Sequence, residues 1–397
     1  MVSPFVDRQH GTERALAELI ERLARDYPCE VHLFAERVEG VAIEKYDGAR
    51  AGTTGAIYWH GIPRIPGPHI FQFLAWFQLN RIWRTIFCWR HRVKFDGVLS
   101  PGINCADANV VIVHALFHRL EELAKERERA SAEQTGLLRR IHRRAYYALL
   151  TGLERRIYSN RKIVLAGVSE RTARLLGQYF QRADAVAILN GVDAAQFSVT
   201  ERLARRAKAR GGFGFKEDDF VLLLIGNDWT VKGLPAILEA MAVCGEVPLR
   251  LLVVGNDARG AHQMHARRLG IKERCTWAEA GPEAMAFYAT ADVYVSPTME
   301  DAFALPPLEA MACGLPVITS VNNGGSQIIA DGENGFVLQD AADIAALGKI
   351  FARLFKDAEY REAVGRAAAK TTMELTWDRN AAAVWSLLQK AATAGKS

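Results

Sequence analysis

The sequence predicts an α/β protein with two doubly wound domains, each built on a parallel sheet. Short apolar runs such as Val110–Val113 and Leu251–Val254 alternate with longer segments of helical periodicity, which is the order typical of parallel β–α units. The chain has 397 residues, which is enough for two full hydrophobic cores. Fold class and domain number therefore follow from pattern and length together.

Composition indicates a folded, intracellular protein. Half of the residues are hydrophobic, 24% are charged and the formal net charge is +5. The six cysteines are scattered without a C-x-x-C pair, which argues against a zinc site and a disulfide framework and fits a reducing compartment. The sequence shows neither a signal-peptide pattern nor an uncharged apolar run of about 18 residues. We expect the protein to lie in the cytoplasm, either free or attached to the inner face of the cytoplasmic membrane.

The stretch 300–318, EDAFALPPLEAMACGLPVI, predicts a ligand site. It follows an apolar run of strand length, and Pro306 and Pro307 suit the first turn of a helix, where the N–H that proline lacks has no partner anyway. A helix that begins just after a strand presents free N–H groups and a positive dipole end to an anion.

Two acids flank this helix start, Asp301 in the loop and Glu309 on the helix, with seven residues between them. Carboxylates accept hydrogen bonds from hydroxyls, and helix amides hold phosphates. The combination suits a sugar nucleotide, which carries both groups. An ordinary β-loop-α unit with a capping Asp is the alternative.

The same stretch resembles the acid-x7-acid signature of the retaining GT-B glycosyltransferases, in particular their family 4. Asp301 stands where the family has its first Glu, Ala302 and Ala304 replace two glycines, and Phe303 and Glu309 match. The resemblance implies two Rossmann-like domains that face each other across a cleft. It also implies metal-independent transfer of a hexose-type sugar from a nucleotide diphosphate donor, with retention of the anomeric configuration.

The N-terminal stretch reads as a strand ending at Val6, a loop, a helix over Glu13–Arg25 and a second strand. The resemblance continues here, because the family has G-G-x-E-R at this helix and HGTER keeps one glycine. It implies that Gly11 and Thr12 face the diphosphate and the acceptor. Read alone, one Gly before a helix indicates only a turn.

His114 follows the apolar run Val110–Val113, at the end of a strand where doubly wound sheets bind ligands. The resemblance implies that this His lies beside the reacting sugar. His118 follows one turn later and is the weaker candidate. A structural role is the alternative for both.

The domain boundaries follow from a second family mark, N-G-V-D-x-x-x-F, which begins at Asn190. We predict an acceptor-binding domain over 1–195, a polar linker over 196–217 and a nucleotide-sugar-binding domain over 218–376. A C-terminal helix, about 377–397, is predicted to complete the first domain. A nicotinamide site is unsupported, because no G-x-G-x-x-G follows a strand.

The second domain begins with a buried strand, Phe220–Ile225, followed by a loop that ends in Lys232 and Gly233. The family usually has G-R-x-x-x-x-K-G here, and the resemblance implies that both cations hold the diphosphate. Lys232 matches, whereas Asn227 stands at the position of the Arg. Arg14, another residue or the helix ends would have to supply the missing positive charge.

The resemblance assigns roles to individual residues. The expected catalytic residues are His114, Lys232, Asp301 and Glu309. Trp277 opens the loop 277–281, where the base of the nucleotide is expected. The expected donor-binding residues are Gly11, Thr12, Asn227, Lys232, Trp277, Phe303, Ala304, Leu305 and Glu309. We expect no metal and no cofactor, and a UDP-sugar rather than a GDP-sugar as the donor substrate.

Two segments, 66–94 and 139–162, interleave aromatic residues with Arg and Lys. Basic-aromatic helices can lie on an anionic membrane, which is one prediction for these segments. The alternative is that the aromatic residues are core and the arginines are solvated. Nucleic acid is disfavoured as a partner, because no nucleic-acid-binding motif accompanies the charge.

The leading functional hypothesis is a retaining glycosyltransferase with a glycan or glycolipid acceptor, in the assembly of cell-envelope polysaccharide or lipopolysaccharide. The departures at Asn227, Asp301 and Ala304 keep a non-catalytic nucleotide-sugar-binding subunit open. A sugar-nucleotide epimerase of the same fold is the third hypothesis. The base, sugar, acceptor and linkage are not fixed by the sequence.

Overall fold

The computed structural model describes residues 1–8, 10–46, 55–130, 137–245, 247–281 and 283–394. The chain forms two compact units. Unit 1 comprises Met1–Leu189 and the segment that begins at Trp377, and unit 2 comprises Asn190–Thr376.

The secondary-structure elements alternate along both units. The strands are β1 (Phe5–Val6), β2 (Val31–Ala35), β3 (Arg37–Val38), β4 (Ile57–Gly61), β5 (Leu99–Pro101), β6 (Val110–Val113), β7 (Val164–Gly167), β8 (Val186–Ala187), β9 (Phe220–Ile225), β10 (Leu249–Val254), β11 (Cys275–Ala278), β12 (Val293–Ser296), β13 (Val317–Ser320) and β14 (Phe336–Leu338). The helices are α1 (Gly11–Asp26), α2 (His69–His91), α3 (Phe117–Ala130), α4 (Leu137–Tyr158), α5 (Glu170–Phe180), α6 (Val199–Phe213), α7 (Leu234–Val243), α8 (Arg259–Arg268), α9 (Ala284–Thr290), α10 (Leu305–Ala312), α11 (Ile344–Lys356), α12 (Ala358–Thr372) and α13 (Trp377–Ala394).

Unit 1 is built on parallel strands. One sheet has the order β5-β6-β7-β8, and β2 pairs with β4. The stretch before β1 lies between these two groups, because the Val2 N–H donates to the Leu99 carbonyl at 3.0 Å and Val2 forms a parallel bridge with Phe34. Because β5 and β6 pair in parallel, their carboxyl ends lie at the same edge of this sheet.

Helix α13 packs against α1 within unit 1. The Tyr27 and Trp385 rings are 5.1 Å apart, and Arg22 Nε donates to Asp378 at 2.7 Å. The Asn380 side chain donates to the Leu189 carbonyl at 2.8 Å. The last helix thus belongs to the unit that contains the N-terminus.

Unit 2 contains a six-stranded parallel sheet with the order β11-β10-β9-β12-β13-β14. Strand β9 is buried along almost its whole length, as a central parallel strand covered on both faces requires. The chain runs outward from β9 to β11 and then returns to β12 on the other side of β9. The loops after β9 and β12 consequently flank the point where the strand order reverses, which is where open α/β sheets bind ligands.

The predicted linker 196–217 is instead largely helical and part of unit 2. Helix α6 begins after Ser198, whose hydroxyl accepts from the Glu201 N–H, and ends at Gly214 with φ = 76°. Its basic residues are not a solvated run, because Arg206 and Arg210 both donate to Asp292. The unit boundary accordingly falls between Leu189 and Asn190 rather than after residue 195.

Candidate active site

The loop between β9 and α7 positions Lys232. Gly226 and Gly233 adopt φ values of 144° and 85°, which favour glycine. The Lys232 side chain folds back over Gly226, where an added Cβ would lie 3.1 Å from Lys232 Cε. The two glycines therefore allow the lysine to lie close along the loop, above the end of β9.

Lys232 forms an ion pair with Asp301, from the loop between β12 and α10. Each side chain is less than one-fifth exposed. The other oxygen of the carboxylate, Oδ1, accepts from the Phe303 N–H at 3.1 Å. The two loops also share a backbone hydrogen bond of 2.7 Å from the Met299 N–H to the Val231 carbonyl. The structure thus brings together two of the predicted catalytic residues.

The N-terminus of α10 lies directly after this loop. Pro306 and Pro307 have no N–H, so Leu305 supplies the amide donor of the first turn. The Ala304 N–H has a long contact of 3.4 Å with Asn323 Oδ1. Three of the predicted donor-binding residues therefore follow Asp301 directly in the chain. Phe303 and Ala304 end the loop, and Leu305 begins α10.

Glu309 is buried on α10 and already has a protein partner. Its Oε2 accepts from the Tyr288 hydroxyl at 2.5 Å. Burial raises the pKa of Tyr294, and the negative charges of Asp301 and Glu309 add to the rise. Tyr294 therefore lies close enough to both acids of the acid-x7-acid motif to interact with their charges.

Asn227 and Trp277 have roles in the packing of unit 2. Asn227 is exposed, and its Oδ1 accepts from the Asn256 N–H at 2.9 Å. Trp277 lies in β11 rather than in a loop, because residues 275–278 pair with β10. Its ring packs 5.3 Å from the buried Trp229 ring. The prediction that a loop begins at Trp277 is wrong, and the loop starts after Ala278.

His114 lies in unit 1, directly after β6. Burial lowers the pKa of His114 to about 4, so the ring is neutral at pH 7. Its Nε2 is buried without a hydrogen-bond partner among the described residues. A buried nitrogen without a hydrogen-bond partner lowers the stability of the protein, and a ligand could supply the missing hydrogen bond.

His118 is a structural residue. Its Nδ1 lies 2.6 Å from the buried Glu154 carboxylate, which also accepts from the Phe117 and His118 N–H groups at the start of α3. Glu154 therefore satisfies the helix start and orients the His118 ring at the same time.

Gly11 and Thr12 lie in the first turn of α1, which begins two residues earlier than the sequence predicts. An added Cβ at Gly11 would meet nothing within 4 Å. The turn is held by Asp7, which accepts from the His10 N–H at 3.0 Å. The protein itself thus leaves open space beside this glycine.

Sequence reasoning missed Tyr288 and Asn323, which support the site from neighbouring elements. Tyr288 lies in an apolar stretch of α9 that signals only core. Asn323 reads as a turn residue, yet its Oδ1 accepts from the Gly325 N–H at 2.9 Å and lies against Ala304. No local pattern points to either contact. Among the described residues, no group of three or more His, Cys, Asp or Glu side chains could hold a metal ion.

Residues 205–371 match the family model described as Glycosyl transferases group 1. The fold of the chain matches the crystal structure of WaaG, a glycosyltransferase involved in lipopolysaccharide biosynthesis, with a TM-score of 0.75. The residues that match the family model lie within unit 2 and make up less than half of the chain. The match to WaaG covers 98% of this chain and 97% of that one at 19% identity, and it shows the GT-B type of fold.

Two further structures share this fold. Sucrose-phosphate synthase from Thermosynechococcus elongatus has a TM-score of 0.72 and 18% identity, over 97% of this chain and 94% of that one. Anabaena HepE in complex with UDP and glucose has a TM-score of 0.65 and 16% identity, over 97% and 98% of the two chains.

Two of the curated relatives are named D-inositol 3-phosphate glycosyltransferase. The protein of Pseudarthrobacter chlorophenolicus is 31% identical over 240 residues, which cover 58% of this chain and 56% of that protein. The protein of Thermomonospora curvata is 28% identical over 232 residues, 54% of each chain. The chain thus spans little more than half the length of the curated relatives it matches.

Proposed function

We propose that the protein is a glycosyltransferase that moves a hexose-type sugar from a nucleotide diphosphate donor to a hydroxyl acceptor. The observation that carries the proposal is the pairing of Lys232 with Asp301 beside the N-terminus of α10. A cation, a carboxylate and a helix start at the switch point of a parallel sheet suit a sugar diphosphate.

The chemical difficulty of the reaction is the departure of the nucleoside diphosphate. The Lys232 ammonium and the Leu305 N–H would stabilise the charge that develops on the leaving group. Because the ammonium is paired with Asp301, the diphosphate would have to replace Asp301 as the partner of Lys232 when the donor binds. Asp301 would then accept a hydrogen bond from a sugar hydroxyl and orient the ring.

Glu309 would accept from the ribose hydroxyls of the nucleotide. Its bond to Tyr288 uses Oε2, and a carboxylate has lone pairs for further donors. His114 would contact the transferred sugar through its unpaired Nε2. We further propose retention by front-face departure and attack, without a metal ion.

We propose UDP-sugar as the donor. The fold neighbour HepE is described in complexes with UDP and with UDP-glucose, which supports uridine over guanosine for this protein too. Thermal stabilisation by UDP, GDP and ADP in parallel tests this choice, since the tightest nucleotide at equal concentration raises the melting temperature most.

For the acceptor we propose a glycan or glycolipid of the cell envelope, handled at the inner face of the cytoplasmic membrane. The support is a surface of unit 1 formed by α2 and the residues that follow it. Its apolar members are Phe71, Ile82, Ile86 and Trp89. A phosphorylated inositol is the second candidate, because the curated relatives carry that acceptor in their names.

The apolar members of this α2 surface share one face of the helix. Their spacings of 11, 4 and 3 residues are helical repeats. Trp89 is 82% exposed and the other three are about half exposed, although Trp76 on the opposite face is buried in the core. Large exposed apolar side chains in a row mark a contact surface.

Exposed cations flank the same surface. Arg84 is an exception, since it is buried and paired with Asp107 at 2.7 Å. The exposed basic residues of this segment are Arg81, Arg90, Arg92 and Lys94. Each cation near an anionic bilayer contributes about 1 kcal/mol, so an anionic lipid surface is the partner that fits best.

The second basic segment, 139–162, would add to this attraction. The side chain of Arg139 lies outside the described residues. The exposed basic residues of the described part are Arg140, Arg144, Arg155, Arg156, Arg161 and Lys162. Among the described residues, no helix has the length and apolarity needed to cross a bilayer, so contact would be at the surface.

Sedimentation with vesicles tests the membrane contact. We expect the protein to bind phosphatidylglycerol vesicles. A variant with Ile86→Glu and Trp89→Glu should bind at least roughly tenfold more weakly, because two apolar side chains that would be buried in the lipid are lost. Leu203→Glu, an exposed leucine of unit 2, is the matched control. Equal binding by both variants would refute the contact.

Turnover of a panel of sugar nucleotides tests the activity itself. Transfer to a lipid-linked glycan, or to an inositol phosphate, supports the proposal and selects the acceptor class. Tight donor binding without transfer, unchanged in Asp301→Ala, would identify a non-catalytic subunit. Conversion of the sugar nucleotide without any acceptor would identify an epimerase.

A further inference from the structure

A histidine and a buried carboxylate form a dyad at the start of α1. The His10 Nδ1 lies 3.0 Å from both oxygens of Asp7. The side chain of Asp7 is 3% exposed, whereas that of His10 is 54% exposed. The carboxylate is therefore fixed inside the protein and the imidazole projects from it to the surface.

The pairing determines which nitrogen of the ring meets a ligand. A carboxylate at Nδ1 accepts from the Nδ1–H, so the neutral ring carries its lone pair on Nε2. The His10 Nε2 has no hydrogen-bond partner in the part of the chain that the structure describes. Arg37, whose Nη2 lies 3.7 Å from Asp7, and Glu13 are charged groups near the dyad.

The position of the dyad in unit 1 matches that of a ligand-binding group. It follows β1 in the loop that leads into α1, and His114 likewise follows β6. The Val2 N–H, three residues before β1, donates to the Leu99 carbonyl of β5, and β5 pairs with β6. Loops at the carboxyl ends of strands are where open α/β sheets bind ligands.

His10 also stands where the G-G-x-E-R pattern of the family has its first glycine. The stretch that begins at Gly11 keeps the rest of that helix start. The imidazole of His10, which can act as a base, thus stands where the family pattern has a glycine without a side chain. It lies next to Gly11, where an added Cβ would meet nothing within 4 Å.

We propose that His10 is a further catalytic residue, which binds the acceptor hydroxyl and takes its proton, with Asp7 as its positioning residue. This inference rests on the proposed transferase function. The acceptor O–H bond breaks, its proton goes to His10 Nε2, and the oxygen forms a bond to the anomeric carbon. The bond from that carbon to the diphosphate breaks, and the nucleoside diphosphate leaves with the electron pair. The imidazolium, stabilised by Asp7, then releases its proton to water.

Chemical rescue tests the inference in the full-length protein. We expect His10→Ala to lower kcat for transfer by roughly 100-fold or more, as loss of a general base does. Added imidazole should restore part of this activity, because the side chain it replaces is exposed. His142→Ala, at an exposed histidine of α4, should show neither the loss nor the rescue.

A second variant and a binding measurement separate the outcomes. His10→Gln keeps a polar side chain of similar size without a base and should remain equally slow, while UDP should stabilise wild type and both variants alike. Weaker UDP binding in His10→Ala would make His10 a phosphate ligand and overturn the inference. Normal transfer by both variants would overturn it and leave the transferase function intact. A wild type that turns over no sugar nucleotide would overturn both.

Discussion

Asp301 has two partners at once, since one carboxylate oxygen is paired with Lys232 and the other accepts from the Phe303 N–H. It therefore fixes the loop before α10 and neutralises the ammonium that would hold a diphosphate. If the proposed function holds, a donor would have to compete with Asp301 for Lys232. We therefore expect the charge of this residue to affect donor binding and transfer in opposite directions.

We predict that Asp301→Asn lowers transfer by about 10- to 100-fold, the loss expected for a charge-assisted hydrogen bond to the sugar. UDP affinity should stay equal or increase, because Lys232 loses its competing partner. Asp301→Glu, with the same charge and one more methylene, is the matched control and should keep more transfer than Asp301→Asn. Calorimetry with UDP and initial rates measure the two quantities. A parallel loss of affinity and rate in Asp301→Asn would contradict this role.

Gly233 is required by packing as well as by its backbone conformation. At φ = 85°, an added Cβ would lie 2.3 Å from the Pro297 carbonyl oxygen. We predict that Gly233→Ala lowers the free energy of unfolding by about 1–3 kcal/mol or more, because a strained residue and a steric clash combine.

The control for Gly233 is Gly211→Ala in the last turns of α6, where an added Cβ meets nothing within 4 Å. It should be neutral or stabilise by up to about 1 kcal/mol, through helix propensity. Urea unfolding measures both changes. Equal stabilities of the two variants would show that the loop can move away from Pro297.

Some contacts at the residue scale could be predicted from sequence and others could not. Lys232 and Asp301 follow two apolar runs, and parallel strands bring such ends to one edge. The bond between Tyr288 and Glu309 joins a core helix to the motif helix, and neither stretch marks it. A contact between two locally ordinary residues depends on tertiary packing alone.

At the scale of elements, α2 and α6 show why composition alone misleads. Helix α2 has apolar residues on both faces, so periodicity cannot separate the buried Trp76 from the exposed Trp89. Helix α6 reads as a basic linker because its acidic partner, Asp292, lies far along the chain. The linker prediction was therefore wrong because local sequence does not show this partner.

Strands β2 and β4 carry a partly buried histidine pair, with His32 Nδ1 2.9 Å from His60 Nε2. Burial, together with the nearby His32, lowers the pKa of His60 from 6.5 to about 3. The unfolded chain therefore binds a proton that the folded protein excludes. This contribution to stability is complete above pH 6.5, decreases as the pH falls below 6.5 and is lost near pH 3.

We predict that the urea midpoint of the wild type falls between pH 7 and pH 4, and that His60→Phe makes this fall shallower. Phenylalanine can keep the aromatic packing on Phe34 and Phe87, whose ring centroids are 4.6 and 4.3 Å from that of His60. His142→Ala, at an exposed histidine, should leave the slope unchanged. An unchanged slope in His60→Phe would show that another group controls acid unfolding.

At the scale of the whole molecule, the two units have separate cores and the predicted functions divide between them. Unit 2 contains Lys232, Asp301 and Glu309, whereas His10 and His114 lie in unit 1. Length and the alternation of elements were enough to predict two parallel-sheet domains. The position of the boundary was not, because the polar, basic stretch after Asn190 is a packed helix.

The central claim is that unit 2 holds a nucleoside diphosphate through Lys232. The most direct measurement is the shift in melting temperature caused by UDP in wild type and in Lys232→Met, with Lys272→Met as the control at an exposed lysine of unit 2. At 100 times its dissociation constant a ligand adds about 2.7 kcal/mol to stability. We predict a clear rise in melting temperature for wild type and Lys272→Met, and a rise that is largely lost in Lys232→Met. An equal rise in all three proteins would contradict the claim.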